Sequence, residues 1–311
     1  MININGTVVS YGENANVNLN VYYMPTGAKM DIPVHVFCAR KKGPSVLFMA
    51  GMHGDEINGI EILRTLLKGK HFENLERGSA VVIPILNVVS FLNRNRDLPD
   101  GRDLNRCFPG TKRGSLGSRI AYDVMHKIIP QIDFGVDFHT GGREINNYPQ
   151  VRCVFNEPKN MELAKAFGAP FILNSAYREK SLRKVAANEG KSILVYEAGE
   201  SNRFNTIGIT EGVNGCLRML KSLKMLDVTV PKSQTIILNN SKWIRAKISG
   251  LFRTTKKFGT FVEKDQVIGT VNSPYAHLEK QLVAPTDGFL IGINNKPVVN
   301  EGDALINIGT E

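Results

Sequence analysis

Apolar residues in this chain come in two textures that take turns. Unbroken runs such as Ser45-Val46-Leu47-Phe48-Met49-Ala50 and Val81-Val82-Ile83-Pro84-Ile85-Leu86 read as strands covered on both faces. Between them Ile57, Ile60, Leu63 and Leu67 keep a helical interval. The exchange continues down the chain. Ile120, Val124 and Ile128 mark a helix, and Phe134 to His139 a strand. Met161 to Phe167 and Leu182 to Glu189 pattern as helices, Ile193 to Tyr196 as a strand, and Val213, Leu217 and Leu220 as a further helix. Two extended segments, Val17 to Tyr23 and Ile32 to Phe37, come first. This order predicts an α/β architecture with a mixed, largely parallel central sheet flanked by helices.

The texture changes after about Val230. From Thr235 onward short extended runs are broken by Gly, Asn, Asp and Pro, as at Ala284-Pro285-Thr286-Asp287-Gly288, and no helical interval recurs. The expected organisation is an α/β domain over residues 1–230 and a smaller all-β domain over residues 231–311. The second domain resembles the β-sandwich of biotinyl and lipoyl carrier domains. In that family a modified lysine tips a hairpin several residues before Ala-Pro. Here the tip carries Ala276-His277-Leu278, and Lys280 lies too near the Ala-Pro, so the module is read as a wall or gate for the first domain.

Composition narrows the class. A chain of 311 residues, 42% hydrophobic and 22% charged, can bury one large core and a smaller one. The opening Met1-Ile2-Asn3-Ile4-Asn5-Gly6 lacks the basic and apolar regions of a secretory signal, and no apolar stretch approaches a bilayer span. Cys38, Cys107, Cys153 and Cys216 form no Cys-x-x-Cys pair and suit a reducing cytoplasm. The net charge of +10 raises nucleic acid as a partner, but the basic residues are scattered. The densest groups, Arg40-Lys41-Lys42 and Lys256-Lys257, read as solvated loops. The expectation is a cytoplasmic protein without nucleic-acid or membrane partners, whose positive balance steers small anions. A homo-oligomer is left open.

Candidate chemistry lies at the strand ends. Gly51-Met52-His53-Gly54-Asp55-Glu56 sits on the turn from the first run into its helix, where an imidazole and a carboxylate three positions apart can face one point. His139, closing Val136-Asp137-Phe138-His139 before Gly141-Gly142, offers a third ligand. Catalytic zinc sites take three protein ligands and keep a fourth position for water. Two histidines and a glutamate favour zinc, one ion per chain. Asp137 is assigned to the opposite strand face as a structural residue, and Asp55 to favouring the helix N-terminus. Arg96, Arg102 and Arg106, in one polar loop with Asp103 and Asn105, form a candidate anion site. Glu197 closes an apolar run and is the best general base for a metal-activated water, with Glu200 read as exposed. His35, His71, His126 and His277 read as surface or structural residues. No Gly-x-Ser-x-Gly elbow, dinucleotide fingerprint or phosphate loop occurs.

In chain order, His53-x-x-Glu56, Asp103-Leu104-Asn105-Arg106, His139 and Glu197 resemble the succinylglutamate desuccinylase/aspartoacylase family of the zinc carboxypeptidase-like superfamily. The resemblance covers most of residues 40–225, and the β module fits that family's two-domain plan. It implies zinc on His53, Glu56 and His139, and Asp103 orienting the first histidine. Asn105 and Arg106 would grip a substrate carboxylate, Arg96 would polarise the scissile carbonyl, and Glu197 would shuttle the proton. Arg183 is the candidate for a further carboxylate-binding arginine. A tyrosine closing over substrate is also implied, with Tyr148, Tyr177 and Tyr275 as candidates. The function expected is a zinc-dependent deacylase cleaving linear amides of small, anionic N-acyl amino acids. The alternatives are a metallocarboxypeptidase acting on short peptides and a non-catalytic carboxylate-binding protein.

Overall fold

The computed structural model describes residues 1–24 and 26–311. At its centre the strands Arg77–Ile83, Lys41–Met49, Phe134–Gly141 and Ser192–Glu200 lie side by side and parallel. Their apolar residues alternate between two covered faces, as a parallel centre requires. Val46 and Phe48 share one core with Ile62, Leu63 and Leu66 of the helix Ile57–Lys68 and with Cys216 and Leu220 of the helix Thr206–Ser222. Leu47 and Met49 point the other way, into a core with Ile120, Val124, Ile128 and Leu182. The helix Leu116–Asp123 runs on through one wide π-type turn, Val124–Ile128.

Antiparallel strands extend the centre on both sides. Lys29–Cys38 and Asn14–Tyr23 add to one edge. Ile145–Cys153 adds to the other, next to Ser192–Glu200. The strand of the second apolar run stops at Ile83 rather than Leu86, because Pro84 brings no N–H to a ladder. Lys41 and Lys42 begin a strand on its exposed end instead of lying in a loop.

After Ser222 every described element is a strand. A four-stranded antiparallel sheet, in the order Glu279–Val283, Val267–Asn272, Gly250–Thr254 and Val298–Val299, packs over its own core of Phe252, Ile268, Val271, Leu290 and Ile306. Hydrogen bonding nevertheless runs on from the first part of the chain. Gly292, Ile293 and Asn294 pair with Asn147, Asn146 and Ile145, and Ala304–Thr310 and Asn240–Arg245 follow outward. The architecture is thus a mixed sheet between helices, joined to a smaller antiparallel β sheet. Among the described residues no helix is long and apolar enough to cross a membrane.

Candidate metal centre and active site

His53 and Glu56 sit on the turn between the strand Lys41–Met49 and the helix that starts at Ile57. The turn is pinned from outside. A Cβ at Gly54 would fall 1.9 Å from the Ser90 carbonyl carbon, so only glycine lets this turn lie against the helix Val88–Leu92. His139 reaches the same point from the strand Phe134–Gly141. Its neighbour Phe138 packs against Gly59 of the helix that Glu56 precedes.

The three side chains meet. One ligand atom from each of His53, Glu56 and His139 lies within 4.8 Å of the others, and all three residues are buried. Glu56 Oε1 is 2.8 Å from His53 Nδ1, and Glu56 Oε2 is 2.8 Å from His139 Nδ1. The Thr140 backbone N–H donates to Glu56 Oε2 at 3.2 Å. Each imidazole turns its outer nitrogen to an aspartate: His53 Nε2 to Asp103 Oδ1 at 3.0 Å, His139 Nε2 to Asp137 Oδ2 at 2.8 Å. An Nε2–H donated outward leaves the Nδ1 lone pair facing inward, the tautomer a metal ligand needs. The donor set therefore fits one divalent cation.

The electrostatics agree. Burial opposes charge on both imidazoles. Against it, Glu56 and Asp103 raise the His53 pKa, and Asp137 and Glu56 hold that of His139 well above its ordinary value. Burial would push the Glu56 carboxyl up, yet the two imidazoles keep it well below the usual carboxylate range. The point where these groups converge is a sink for positive charge.

Asp137 corrects the sequence reading. Residues two apart on a strand share a face, so Asp137 lies on the same side as His139 and holds its ring. Glu200 also departs from expectation, being buried and hydrogen-bonded by Asn295 while Arg203 pairs with it at 2.9 Å. Asp55 is buried beside the centre without joining the donor group, and burial with the Glu56 charge raises its pKa.

The centre forms part of the lining of a cavity of about 320 Å³, which includes Arg96, Asn105, Arg106, Arg183 and Glu197. Arg96 bridges the ligands and their support, donating from Nη1 to Glu56 at 2.9 Å and from Nη2 to Asp103 at 3.0 Å. Burial opposes its charge, but these two carboxylates raise its pKa. Asp103 lies behind the wall, where it also accepts from the Asn105 backbone N–H at 2.7 Å. Asn105 Oδ1 accepts from the Leu182 N–H at 3.0 Å, which leaves its amide nitrogen for a ligand. Arg106 is exposed, with Nη1 on the Asn105 carbonyl. Arg183 is 8% exposed and donates from Nη2 to the Ala176 carbonyl, while its buried Nη1 has no protein partner. Burial lowers its pKa.

None of the three candidate tyrosines lines this cavity. Tyr148 packs between Phe171 and Phe258, Tyr177 donates to Glu157, and Tyr275 is 78% exposed. The aromatic ring on the cavity wall is Trp243, from the β-rich part. Asn147 and Arg152 also line it, and both contact Glu197. Neither carries a local signal, because their place depends on which strand pairs with which.

Residues 42–223 match the model of the succinylglutamate desuccinylase/aspartoacylase catalytic domain. Over 297 residues the chain is 30% identical to an N-alpha-acetyl-L-2,4-diaminobutyric acid deacetylase of Halomonas elongata, covering 90% of this chain and 85% of that one. The fold is similar to that of the product-bound ectoine utilization protein EutE (DoeB) from Ruegeria pomeroyi. The TM-score is 0.84 at 22% identity, over 96% of this chain and 95% of that one. A succinylglutamate desuccinylase/aspartoacylase from Rhodobacter sphaeroides gives a TM-score of 0.83 at 24% identity, covering 98% of each chain.

Proposed function

The chain belongs to the succinylglutamate desuccinylase/aspartoacylase family, and from that premise we propose a zinc-dependent deacylase that cleaves the amide of a small N-acyl amino acid. The observation that carries the reading is the meeting of His53, Glu56 and His139 in a cavity also lined by Glu197 and several arginines.

His53, Glu56 and His139 would hold the zinc, which would supply Lewis acidity for a carbonyl and lower the pKa of water towards neutrality. Glu197 accepts the proton that water gives up and returns it to the departing nitrogen. Arg96, a guanidinium with five N–H groups that contacts Glu56, His53 and Asp103, supplies the positive charge that stabilises the negative oxygen that develops. Asn105, Arg106 and Arg183 hold the substrate carboxylate, Arg183 through the nitrogen that has no protein partner. Asp103 and Asp137 fix the imidazoles. Residues 1–230 are the proposed hydrolase unit and 231–311 its wall, a division supported by Trp243 on the cavity lining. Four free thiols support a reducing compartment, and hence the cytoplasm.

The test is release of free amine from a panel of N-acyl amino acids, with and without a chelator. Nα-acetyl-L-2,4-diaminobutyrate belongs in the panel because the Halomonas elongata relative is named for it, and di- and tripeptides stand as competitors. Release from acyl amino acids, lost with chelator and restored by zinc, is expected. Glu197→Gln should keep the metal and lose about 100-fold or more in kcat. Cleavage of peptides alone overturns the substrate class.

A further inference from the structure

Cavity residues other than the ligands raise a narrower question, which is what aims Glu197. We infer that Arg152 and Asn147 form a two-point clamp on the Glu197 carboxylate, acting as positioning residues for the base proposed above. The inference rests on that assignment and adds to it.

The clamp follows from strand register. Ile145–Cys153 runs antiparallel to Ser192–Glu200 with Val195 opposite Arg152, Glu197 opposite Gln150, and Gly199 opposite Asn147. Opposed residues of an antiparallel pair project from one face, which puts Arg152 on the side of Glu197. A register shift between Glu197 and Gly199 brings Asn147, three positions from Gln150, round to the same side, so the two flank Glu197 at the cavity. They take one carboxylate oxygen each. Arg152 Nη1 lies 3.2 Å from Oε1, and Asn147 Nδ2 donates to Oε2 at 2.9 Å. A carboxylate has about four lone-pair sites, so this arrangement fixes the plane of the group and leaves each oxygen able to take a proton. A glutamate held at one oxygen alone could still swing about that bond.

The clamp has its own backing. Arg152 Nε donates to Gln150 Oε1 at 3.4 Å, and Gln150 Nε2 donates to the Ile291 carbonyl at 3.1 Å. The Asn147 backbone pairs with Gly292. The strand Gly288–Asn294 thus carries the β-rich part of the chain to the back of the clamp. Of the arginines that line the cavity, Arg152 is the one that forms an ion pair with Glu197 among the described residues.

The experiment compares Arg152→Gln, Arg152→Lys, Asn147→Ala, Glu197→Gln and the double variant Arg152→Gln/Glu197→Gln, each zinc-loaded, on the best substrate of the panel. Arg152→Gln and Asn147→Ala should lose about 10- to 100-fold in kcat, the cost of a base displaced by an ångström or so, with KM and zinc content unchanged. Arg152→Lys should recover part of the loss. With Glu197→Gln already present, removing Arg152 should cost nothing more, because no base remains to be aimed. A crystal structure of Arg152→Gln should show the Glu197 side chain turned to another rotamer.

An additive loss in the double variant overturns the clamp, as does a rise in KM at constant kcat, which would make Arg152 a substrate ligand. Normal kcat in Arg152→Gln and Asn147→Ala beside an inactive Glu197→Gln overturns the clamp alone. Normal turnover in Glu197→Gln removes the base assignment and the clamp together. Should Arg152→Gln fail to fold, Arg152→Lys and Asn147→Ala carry the same comparison.

Discussion

Around the candidate metal centre the buried side chains have two tasks, one facing inward and one outward. His139 shows this best, with Nδ1 towards Glu56 and Nε2 on Asp137, itself only 2% exposed. A carboxylate behind a ligating imidazole raises the basicity of the ring and holds its direction, typically worth 10- to 100-fold in metal affinity. Asp137→Asn keeps the shape and an acceptor oxygen but loses the charge, so zinc should bind about tenfold more weakly. Asp137→Ala should approach about a hundredfold. Competition against a chromogenic chelator measures both, and equal affinity in all three proteins would leave Asp137 a merely structural role. His53, Glu56 and His139 were legible because each follows or closes an apolar run. Asp137 was legible too, because strand alternation has a period of two and so puts it on the face of His139. Assigning it to the opposite face treats two residues two apart as if they were adjacent.

At the scale of elements, the helix Ile57–Lys68 decides whether those residues meet. Glu56 immediately precedes it, and Gly59 lies where a Cβ would come within 2.5 Å of the Phe138 Cβ and 3.0 Å of the Ala50 Cβ. Helix propensity favours alanine over glycine by about 1 kcal/mol. Overpacking a rigid site costs about 1–3 kcal/mol, and here both the Ala50 and the Phe138 strand ends would have to give. The steric cost wins. Gly59→Ala should lower the Tm and, by parting Glu56 from His139, also lower zinc affinity. Calorimetry with and without zinc separates the two effects, and an unchanged Tm would show that the helix shifts freely. The helix itself was plain in the spacing of Ile57, Ile60, Leu63 and Leu67. Its closeness to Phe138 was not, since nothing near Gly59 in the chain names the strand it meets.

For the molecule as a whole, buried acids set a limit at high pH. Burial pushes the Cys153 thiol up to about 12 and that of Cys216 further. Burial, with the Asp123 hydrogen bond, raises the Tyr22 phenol, and burial raises that of Tyr196. Unfolded thiols ionise near about 8.5. Above that pH the folded chain holds more protons than the unfolded one, so stability falls as pH rises. The Tm under reducing conditions should therefore decline from about pH 9 upward, and Cys153→Ala should soften the slope. A flat profile to about pH 11 would show that these groups are open to solvent when folded.

The sequence by itself determined the central alternation of strands and helices, though not the strands Ile145–Cys153 and Phe171–Asn174. It also determined the change of texture near Val230 and the choice of His53, Glu56 and His139 as candidates, because these are written in local period and in residue type. Tertiary structure decided what depends on register: Arg152 and Asn147 beside Glu197, Trp243 on the cavity wall, Asn295 on Glu200, and the ladder that joins Gly292 to Asn147. A hydrophobic pattern specifies which face of a strand is buried. It does not name the strand alongside, and that choice is settled only when the packing of the whole chain fixes every neighbour at once.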